Sequence, residues 1–569
     1  MSGAEMISRE EAIARVTVPG ARFEIRTENV LGERLEVYAN RERSLGSLVR
    51  ASARFGPREY LVTAGRRITF AQHYAAVAAL AAALRAEYGV RKGDRVGICS
   101  ANTPEWIVAF WAAVSLGAIA VGMNSMWAAP EVRHGIELTS PKVLIADAPR
   151  RAVIRDAGIG DAGIGDAGIP GTPAAPVLSF EADLPVLIAR HQGAVLPDAE
   201  ADEDDPAVIL FTSGTSGRAK GVTHSHRNVL AAMWHVMLGD AIAAERGMPP
   251  QPGRRFLLLS PLFHITSLHN LAVPRLAAGD TAVIYSGRFE IDRVLALIEA
   301  ERITNWGAVP TMVSRLVRHP GLAKYDLSSL RALSVNSAPS SPELKDQVRT
   351  ALPVAGQALV TTYGLTESST AATVASPVDL LEDPDTVGGP VPTVGVSIRD
   401  AAGNEVPDGT EGEIWLRGAQ MMLGYWNDLA ATAASSAPHG WFRTGDLGTM
   451  RDGRLRVPAR RSDLILRGGE NVYPAEVEFA LGSHPAVSEC AVFGVPHADL
   501  GQEVAAVVVV ASGDTVTEDD LTAYARERLA RYKVPSRWLI TTDALPRNAT
   551  GKVIRPAAAA LLSRTAQPR

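Results

Sequence analysis

The sequence predicts an α/β protein: a large N-terminal domain of mostly parallel α/β sheets and a smaller C-terminal α+β domain. Three observations predict it. Helical and strand-like segments alternate through residues 1–200. From residue 205 onward, apolar runs repeatedly end in loops of small and polar residues. Residues 462–569 then change to a compact helix–strand–strand–helix pattern. Alternation of the first kind builds βαβ units and a largely parallel sheet.

Residues 75–88 are rich in Ala and Leu at helical spacing, and residues 95–99 form a short β-type run after the turn Lys92-Gly93-Asp94. Residues 143–146 are another such run. Residues 106–123 are 18 residues without a charge, marginally long enough for a membrane span. Gly117 divides them, however, and AIAVGM reads as a strand, so the segment is expected to be a buried helix followed by a strand. Residues 156–170 read DAGIG, DAGIG, DAGIP, and Pro170, Pro173 and Pro176 follow. The repeat is too short and too few for a solenoid. A surface insertion over about 156–176 is expected, with a calcium-binding Gly/Asp repeat as the alternative.

Four apolar runs lead into notable loops: 208–211 into TSGTSGRAKG, 256–260 into PLFH, 331–335 into NSAPSSP, and 358–362 into YGLTE. Ligands of open α/β sheets bind beyond the carboxyl ends of strands. The four loops are therefore expected to converge on one cleft. Near the C-terminus Pro474 starts a helix, AEVEFALGSH, and strands are expected at 488–493 and 504–510. Thr517 and Asp520 have capping-box spacing, and the following helix puts Leu521, Tyr524, Ala525 and Leu529 on one face. The boundary is placed near 461, giving domains 1–461 and 462–569.

Bulk properties exclude some functions. The formal net charge of −5 over 569 residues argues against a general nucleic-acid binder. The two cysteines, Cys99 and Cys490, form no CxxC motif. Their scarcity, and an N-terminal MSGAEMISREEA without a basic start and apolar core, predict a cytoplasmic protein. Oligomeric state is not readable.

The chemistry starts at residues 212–221. Thr212, Ser213, Gly214, Thr215, Ser216 and Gly217 follow a strand, and Lys220 comes shortly after. Small side chains let backbone N–H groups close around phosphate oxygens, and the hydroxyls and lysine add donors and charge. Alone, the loop reads equally as a Gly/Ser turn. It is not a Walker loop, because Ala219 precedes Lys220 and Gly221 follows it.

With five further motifs in order, the chain resembles the adenylate-forming superfamily of acyl-CoA synthetases, peptide-synthetase adenylation domains and luciferases. These are PLFH at 261–264, YGLTE at 363–367, FRTGDL at 442–447, ARRSDLILRGGENVYPAEVE at 459–478 and PRNATGK at 546–552. GGENVYPAEVE looks most like the acyl- and aryl-CoA synthetase branch. The resemblance spans nearly the whole chain. It implies the adenylate-forming fold, with a mobile C-terminal lid, and the cofactors ATP, Mg2+ and coenzyme A.

The resemblance also implies roles. A carboxylate attacks the α-phosphate, and charge builds on the leaving pyrophosphate, so the site must supply positive charge and fixed donors. Lys552 would be the main cation. Glu367 would hold Mg2+, and Asp446 would accept from the ribose hydroxyls. Arg460 would bind ribose or phosphate. Ser337-Ala338-Pro339 and Tyr363 would sandwich adenine, with Gly364 and Thr366 in the same nucleotide-binding run. His264 would line the carboxylate end of the acyl pocket, and Trp234 and Asn336 its wall. Each has a plainer reading: Lys552 as a surface lysine, His264 as a satisfied core histidine, Trp234 as simple core.

In the family the small domain swings about a hinge near Arg460 and admits the pantetheine thiol. Ser462 would be the hinge, and Gly468 and Gly469 would give the pantetheine arm clearance. The chain departs from the pattern here. Ala459 replaces the usual glycine, Ser462 replaces Asp or Lys, and the turn at 450–453 is one residue short. The departures bear on thioester formation and leave the adenylation residues untouched. Asn336 and Ser337 stand where two glycines are common.

Adenylation domains for amino acids usually place an Asp after the PLFH-like motif, whereas HITSLHN has no carboxylate. A small-molecule carboxylic acid without an α-amino group is therefore expected: fatty, aryl or polycyclic. The alternatives are an adenylation-only enzyme serving an acyl carrier protein or a partner thiolation enzyme, and a non-enzymatic nucleotide-binding relative.

Overall fold

The computed structural model describes residues 7–159, 176–197, 201–212, 218–248, 252–336, 340–460, 463–467, 470–497, 500–511, 516–548 and 551–565. Most of the Gly/Asp repeat and its Pro-rich tail therefore lie outside the described residues. So do Ser213, Gly214, Thr215, Ser216, Gly217, Ser337, Ala338, Pro339, Ser462, Gly468 and Gly469.

Two sheets form the large unit. The first has seven strands. Arg95–Cys99, Ile119–Gly122, Val143–Ala146, Val177–Ser179 and Pro206–Thr212 run parallel. Lys220–Ser225 and Gly424–Tyr425 close one edge antiparallel. The second sheet has fourteen strands. Glu59–Thr63, Thr281–Ile284, Arg255–Leu258, Asn305–Ala308, Ala332–Val335 and Leu359–Gly364 run parallel. From Ala371–Ala375 to Arg454–Arg460 the pairing becomes antiparallel. The expectation of mostly parallel layers thus covers the first sheet and half of the second. The antiparallel half follows short hairpins: Arg451 pairs with Arg454, and Asp452 and Gly453 between them both have positive φ, at 49° and 72°. That is the geometry of a two-residue primed turn.

The uncharged segment is a helix, Pro104–Ser115, and then the strand Ile119–Gly122. Thr103 caps the helix by accepting from the Trp106 N–H at 3.2 Å. Every helix residue except Glu105 is buried. With the helix Phe70–Tyr88 it joins one core that contains Val96 and Val208 of the first sheet and Leu61 and Ala282 of the second. Full burial explains the missing polar face. Among the described residues no helix is long and apolar enough to cross a membrane.

The C-terminal unit is a five-stranded sheet covered on both faces. Val487–His497 pairs antiparallel with Gly501–Val510, which pairs parallel with Arg537–Thr541. The helices Pro474–Gly482 and Glu518–Arg526 bury Val477, Leu481, Leu521 and Ala525 on one face. The helix Arg555–Thr565 buries Ala558 on the other. Thr517 and Asp520 do form a capping box.

Candidate active site

The expected phosphate end is built at the edge of the first sheet. Pro206–Thr212 delivers the loop, and Lys220 returns opposite Thr212. The segment 422–426 then adds an edge strand: Val222 pairs with Tyr425, and the Trp426 N–H donates to the Gly221 carbonyl at 2.7 Å. This strand brings Glu367 to Lys220. The Met422 N–H donates to the Glu367 carbonyl at 2.8 Å. The Tyr425 hydroxyl donates to Glu367 Oε1 at 2.8 Å. Lys220 Nζ lies 4.9 Å from the centre of the Tyr425 ring, a cation–π contact. One tyrosine therefore joins the cation of the phosphate loop to the expected metal carboxylate. The sequence reading missed Tyr425, because GYW after an apolar run reads as core.

Thr366 and Glu367 form a short 3-10 turn with Ser368. Two buried histidines lie under it. The His224 and His269 rings meet edge to face at 5.0 Å, and His269 Nδ1 lies 2.9 Å from Ser369 Oγ. Burial holds His224 well below the usual histidine range and pushes His269 down to about 4. Both stay neutral at pH 7 and add no charge beneath Glu367. Gly364, just before the turn, is required by close approach: a Cβ there would lie 2.4 Å from the Thr370 carbonyl oxygen.

The expected nucleoside end lies at the strand ends of the second sheet. The Tyr363 hydroxyl donates to Asp446 Oδ2 at 2.8 Å. Asp446 is only 5% exposed, and its N–H donates to Thr444 Oγ1 at 3.0 Å. Arg460 pairs with Asp446 through the backbone, so the expected ribose ligands enter on adjacent strands. Asn336 closes the end of Ala332–Val335. Its side-chain amide donates to Ser334 Oγ at 3.0 Å and accepts from the Thr362 hydroxyl at 3.0 Å. Lys345 was also missed, since it reads as a surface helix residue. It is buried, its ammonium donates to the carbonyls of Ser340 (3.1 Å) and Pro384, and burial lowers its pKa. It fixes the chain leaving the expected adenine loop.

Lys552 completes the cleft from the small unit. Its N–H donates to Asn548 Oδ1 at 2.9 Å, and the Asn548 N–H donates to its carbonyl at 2.9 Å. Gly551 sits at φ 84° against the large unit: a Cβ on it would lie 3.6 Å from Val309 Cγ2 and 3.8 Å from Met312 Cε. Lys552, Tyr363, Gly364, Asp446 and Lys345 line one cavity of about 660 Å³. The cavity thus draws on both units.

His264 is not among the residues lining that cavity. Its ring packs on Phe263 at 4.6 Å, its Nε2 is buried with no hydrogen-bond partner among the described residues, and burial pushes its pKa down to about 4. A buried imidazole with an unused nitrogen is what a ligand carboxylate or carbonyl could address. Trp234 stacks on Tyr38 at 5.5 Å, meets Phe23 edge-on at 5.2 Å, and donates from Nε1 to Glu42 Oε2 at 3.0 Å. The ring anchors the N-terminal segment, in keeping with the plainer core reading, and borders a small second cavity with Met233 and Met237.

Among the described residues no group of three or more His, Cys, Asp or Glu could hold a metal ion. A single carboxylate, Glu367, fits Mg2+, which binds through one or two carboxylates, phosphate oxygens and water.

Comparison with known proteins accounts for this arrangement. The AMP-binding enzyme family matches residues 48–426, and the AMP-binding enzyme C-terminal domain matches residues 476–552. The chain is 34% identical over 517 residues to a feruloyl-CoA synthase of Amycolatopsis sp, covering 90% of this chain and 98% of that protein. It is 35% identical over 526 residues to the 3-[(3aS,4S,7aS)-7a-methyl-1,5-dioxo-octahydro-1H-inden-4-yl]propanoyl:CoA ligase of Rhodococcus jostii (strain RHA1), covering 90% and 96%. Among solved structures it is similar to the o-succinylbenzoate CoA synthetase of Bacillus subtilis in complex with its acyl-adenylate intermediate. The TM-score is 0.76 and the identity 29%, covering 93% of this chain and 99% of that one. The chain belongs to the AMP-binding enzyme family, in its acyl-CoA synthetase branch: it is an AMP-forming acid–thiol ligase that activates a carboxylic acid with ATP as acyl-AMP and transfers the acyl group to coenzyme A.

Proposed function

We propose that the acid is a fatty, aryl or polycyclic carboxylic acid without an α-amino group, activated in the cleft between domains 1–461 and 462–569. The observation that carries the reading is the Lys552 turn seated against Val309, in one cavity with Asp446 and Tyr363. In this arrangement Lys552 meets the attacking carboxylate and the α-phosphate. The carboxylate oxygen bonds to phosphorus as pyrophosphate leaves. Glu367, oriented by Tyr425, holds Mg2+, which offsets phosphate charge. Lys220 and the loop 213–217 receive the β- and γ-phosphates. Asp446 accepts from the ribose, with Arg460 beside it, and Tyr363 packs on adenine with residues 337–339.

Absence of an ammonium partner supports the acid class. Across 264–270, after the PLFH-like motif, the side chains carry no carboxylate. The relatives' aryl and fused-ring acids agree with this class. Ser462, Gly468 and Gly469 serve the swing and the pantetheine arm. The two free cysteines suit a cytoplasmic enzyme.

A second reading, adenylation with the acyl group passed to an acyl carrier protein or partner thiolation enzyme, is favoured by one observation: Ala459 stands where the hinge usually has glycine. The test is mass spectrometry of products from ATP, Mg2+ and a diverse acid panel, with and without coenzyme A. Acyl-CoA from an aryl, fatty or fused-ring acid is expected. Turnover with amino acids alone would overturn the acid class, and acyl-AMP that never becomes acyl-CoA would establish the second reading.

A further inference from the structure

Seating of the Lys552 turn involves more than shape. Val309 and Met312 touch Gly551 from the start of the helix Pro310–Val317. One turn further along that helix, on the same side, stands Arg315. Arg315 Nη2 donates to Glu489 Oε1 of the small unit at 3.0 Å. The other oxygen, Glu489 Oε2, accepts from Arg547 Nη2 at 2.7 Å. Arg547 in turn donates from Nη1 to the Gly551 carbonyl at 2.5 Å, one residue before Lys552. A single carboxylate therefore bridges a large-unit arginine and the arginine that shapes the lysine turn. Its position is built in. The pairing of Val487–His497 with Gly501–Val510 shifts register between Val487 and Glu489, and such irregularities re-aim side chains.

The three groups differ in exposure. Glu489 and Arg547 side chains are 17% exposed and Arg315 is 46% exposed. The Glu489–Arg547 pair belongs to the small unit, travels with it and shapes the turn. The Arg315–Glu489 pair exists only while the units are docked this way. A half-exposed pair is weak. Weakness is what a reversible contact requires, since an enzyme that alternates between two arrangements needs the two close in energy.

We propose that Arg315 and Glu489 are positioning residues for adenylation: together they latch the Lys552 turn into the nucleotide cleft, and their ion pair parts for the thiol-transfer arrangement. This rests on the reading of Lys552 as the adenylation cation. Arg315 lies outside the cavity that Lys552 lines and acts through Glu489, Arg547 and the turn, whereas Glu489 and Arg547 border that cavity.

The test uses full-length protein, with ferulic acid and octanoic acid as probe acids. ATP–pyrophosphate exchange reads the first half-reaction. Thioester formation from the chemically made acyl-AMP of the same acid plus coenzyme A reads the second. Arg315→Ala is expected to lower exchange about threefold and Arg315→Glu about tenfold, the range set by losing or reversing a partly exposed pair. Arg315→Lys restores most of the exchange rate. The second half-reaction stays unchanged or quickens, a split that general damage to the fold would not produce. Equal loss in both half-reactions, or unchanged exchange in Arg315→Glu, overturns the latch.

A second measurement does not depend on the acid. Nitroxide labels go on Leu429→Cys, 85% exposed on the large unit, and Glu527→Cys, 72% exposed on the small one. With ATP and Mg2+ present, Arg315→Glu is expected to move population from the docked distance to a second one. An unchanged distance distribution sinks the proposal. If neither probe acid exchanges while the distances shift, the latch stands and those two acids are excluded as substrates.

Discussion

At the proposed phosphate end, Glu367, Tyr425 and Lys220 lie within one unit, joined across adjacent strands by two backbone hydrogen bonds and a half-buried tyrosine. At the other end, Lys552 sits in a turn that lies beside Val309 and Met312 of the large unit and, through Arg547 and Glu489, is tied to Arg315. One end is fixed by sheet pairing and the other is docked. The difference matches the chemistry. On the proposed reading the large unit holds the ATP phosphates until pyrophosphate leaves, whereas the lysine is needed only while the carboxylate attacks phosphorus. A fixed end can be strong; a docked end must be able to leave.

The largest expected effect separates the two ends most clearly. Lys552→Ala is expected to lower ATP–pyrophosphate exchange at least about 100-fold, the scale for removing a group aimed at developing charge. Thioester formation from supplied acyl-AMP should change little. Equal loss in both half-reactions would place the lysine in both chemistries and break the distinction between fixed and docked ends.

The next variant probes the fixed end. Tyr425→Phe removes a hydrogen bond to an ionised carboxylate, worth about 1.5–3 kcal/mol. Exchange is expected to fall about tenfold, with more Mg2+ needed for half-maximal rate. Titration of Mg2+ at saturating ATP reads it. A lowered rate with unchanged Mg2+ dependence would detach Tyr425 from the metal and leave it a role toward Lys220 alone.

How much of this was legible in the sequence follows the same division. The loops after the apolar runs, YGLTE, Asp446 and the Lys552 turn were legible only as an ordered series, since each alone fits a plain turn or surface residue, and residues 213–217 and 337–339 lie outside the described residues. Tyr425 and Lys345 were not. Their roles come from pairing between segments some 200 and 40 residues apart, Val222 with Tyr425 and Lys345 with Pro384, and no local period records such partners. The latch was invisible for the same reason: Arg315, Glu489 and Arg547 are three ordinary charges until the units dock. The antiparallel half of the second sheet was missed because short hairpin strands resemble the ends of parallel ones. Trp234 is the opposite case. A tryptophan on a helix after a phosphate loop invites a pocket role, yet its ring faces Tyr38 and Phe23.

That packing yields the third prediction. Trp234→Ala is expected to cost about 3–5 kcal/mol of stability, as for other buried aromatic truncations. Among molecules that remain folded, the preference across the acid panel should stay within about twofold, a small step on the scale of pocket discrimination. Denaturant unfolding and the acid profile, measured on the same preparation, check it. A changed profile with little loss of stability would return Trp234 to the acyl pocket.

The smallest effect concerns pH. His264 is pushed by burial from 6.5 down to about 4, and His226, His235 and His269 are pushed to similar values; all lie in the large unit. The unfolded chain takes up protons near pH 6.5, whereas the folded chain holds these rings neutral until about pH 4. Between those limits the unfolded state binds more protons, so stability rises with pH and is lost as pH falls from about 6.5 toward 4. Each ring contributes at most about 1.4 kcal/mol per pH unit across that window. His264→Asn should therefore flatten the dependence of the unfolding midpoint on pH between 5 and 6.5 by one ring's share, while leaving stability at pH 8 set by packing alone. The fixed unit should be the first to fail in acid, and the docked unit should lose its lysine seat because the surface beneath it melts. Separate unfolding transitions followed by hydrogen exchange at pH 5 would show the order, and earlier melting of the small unit would reverse it.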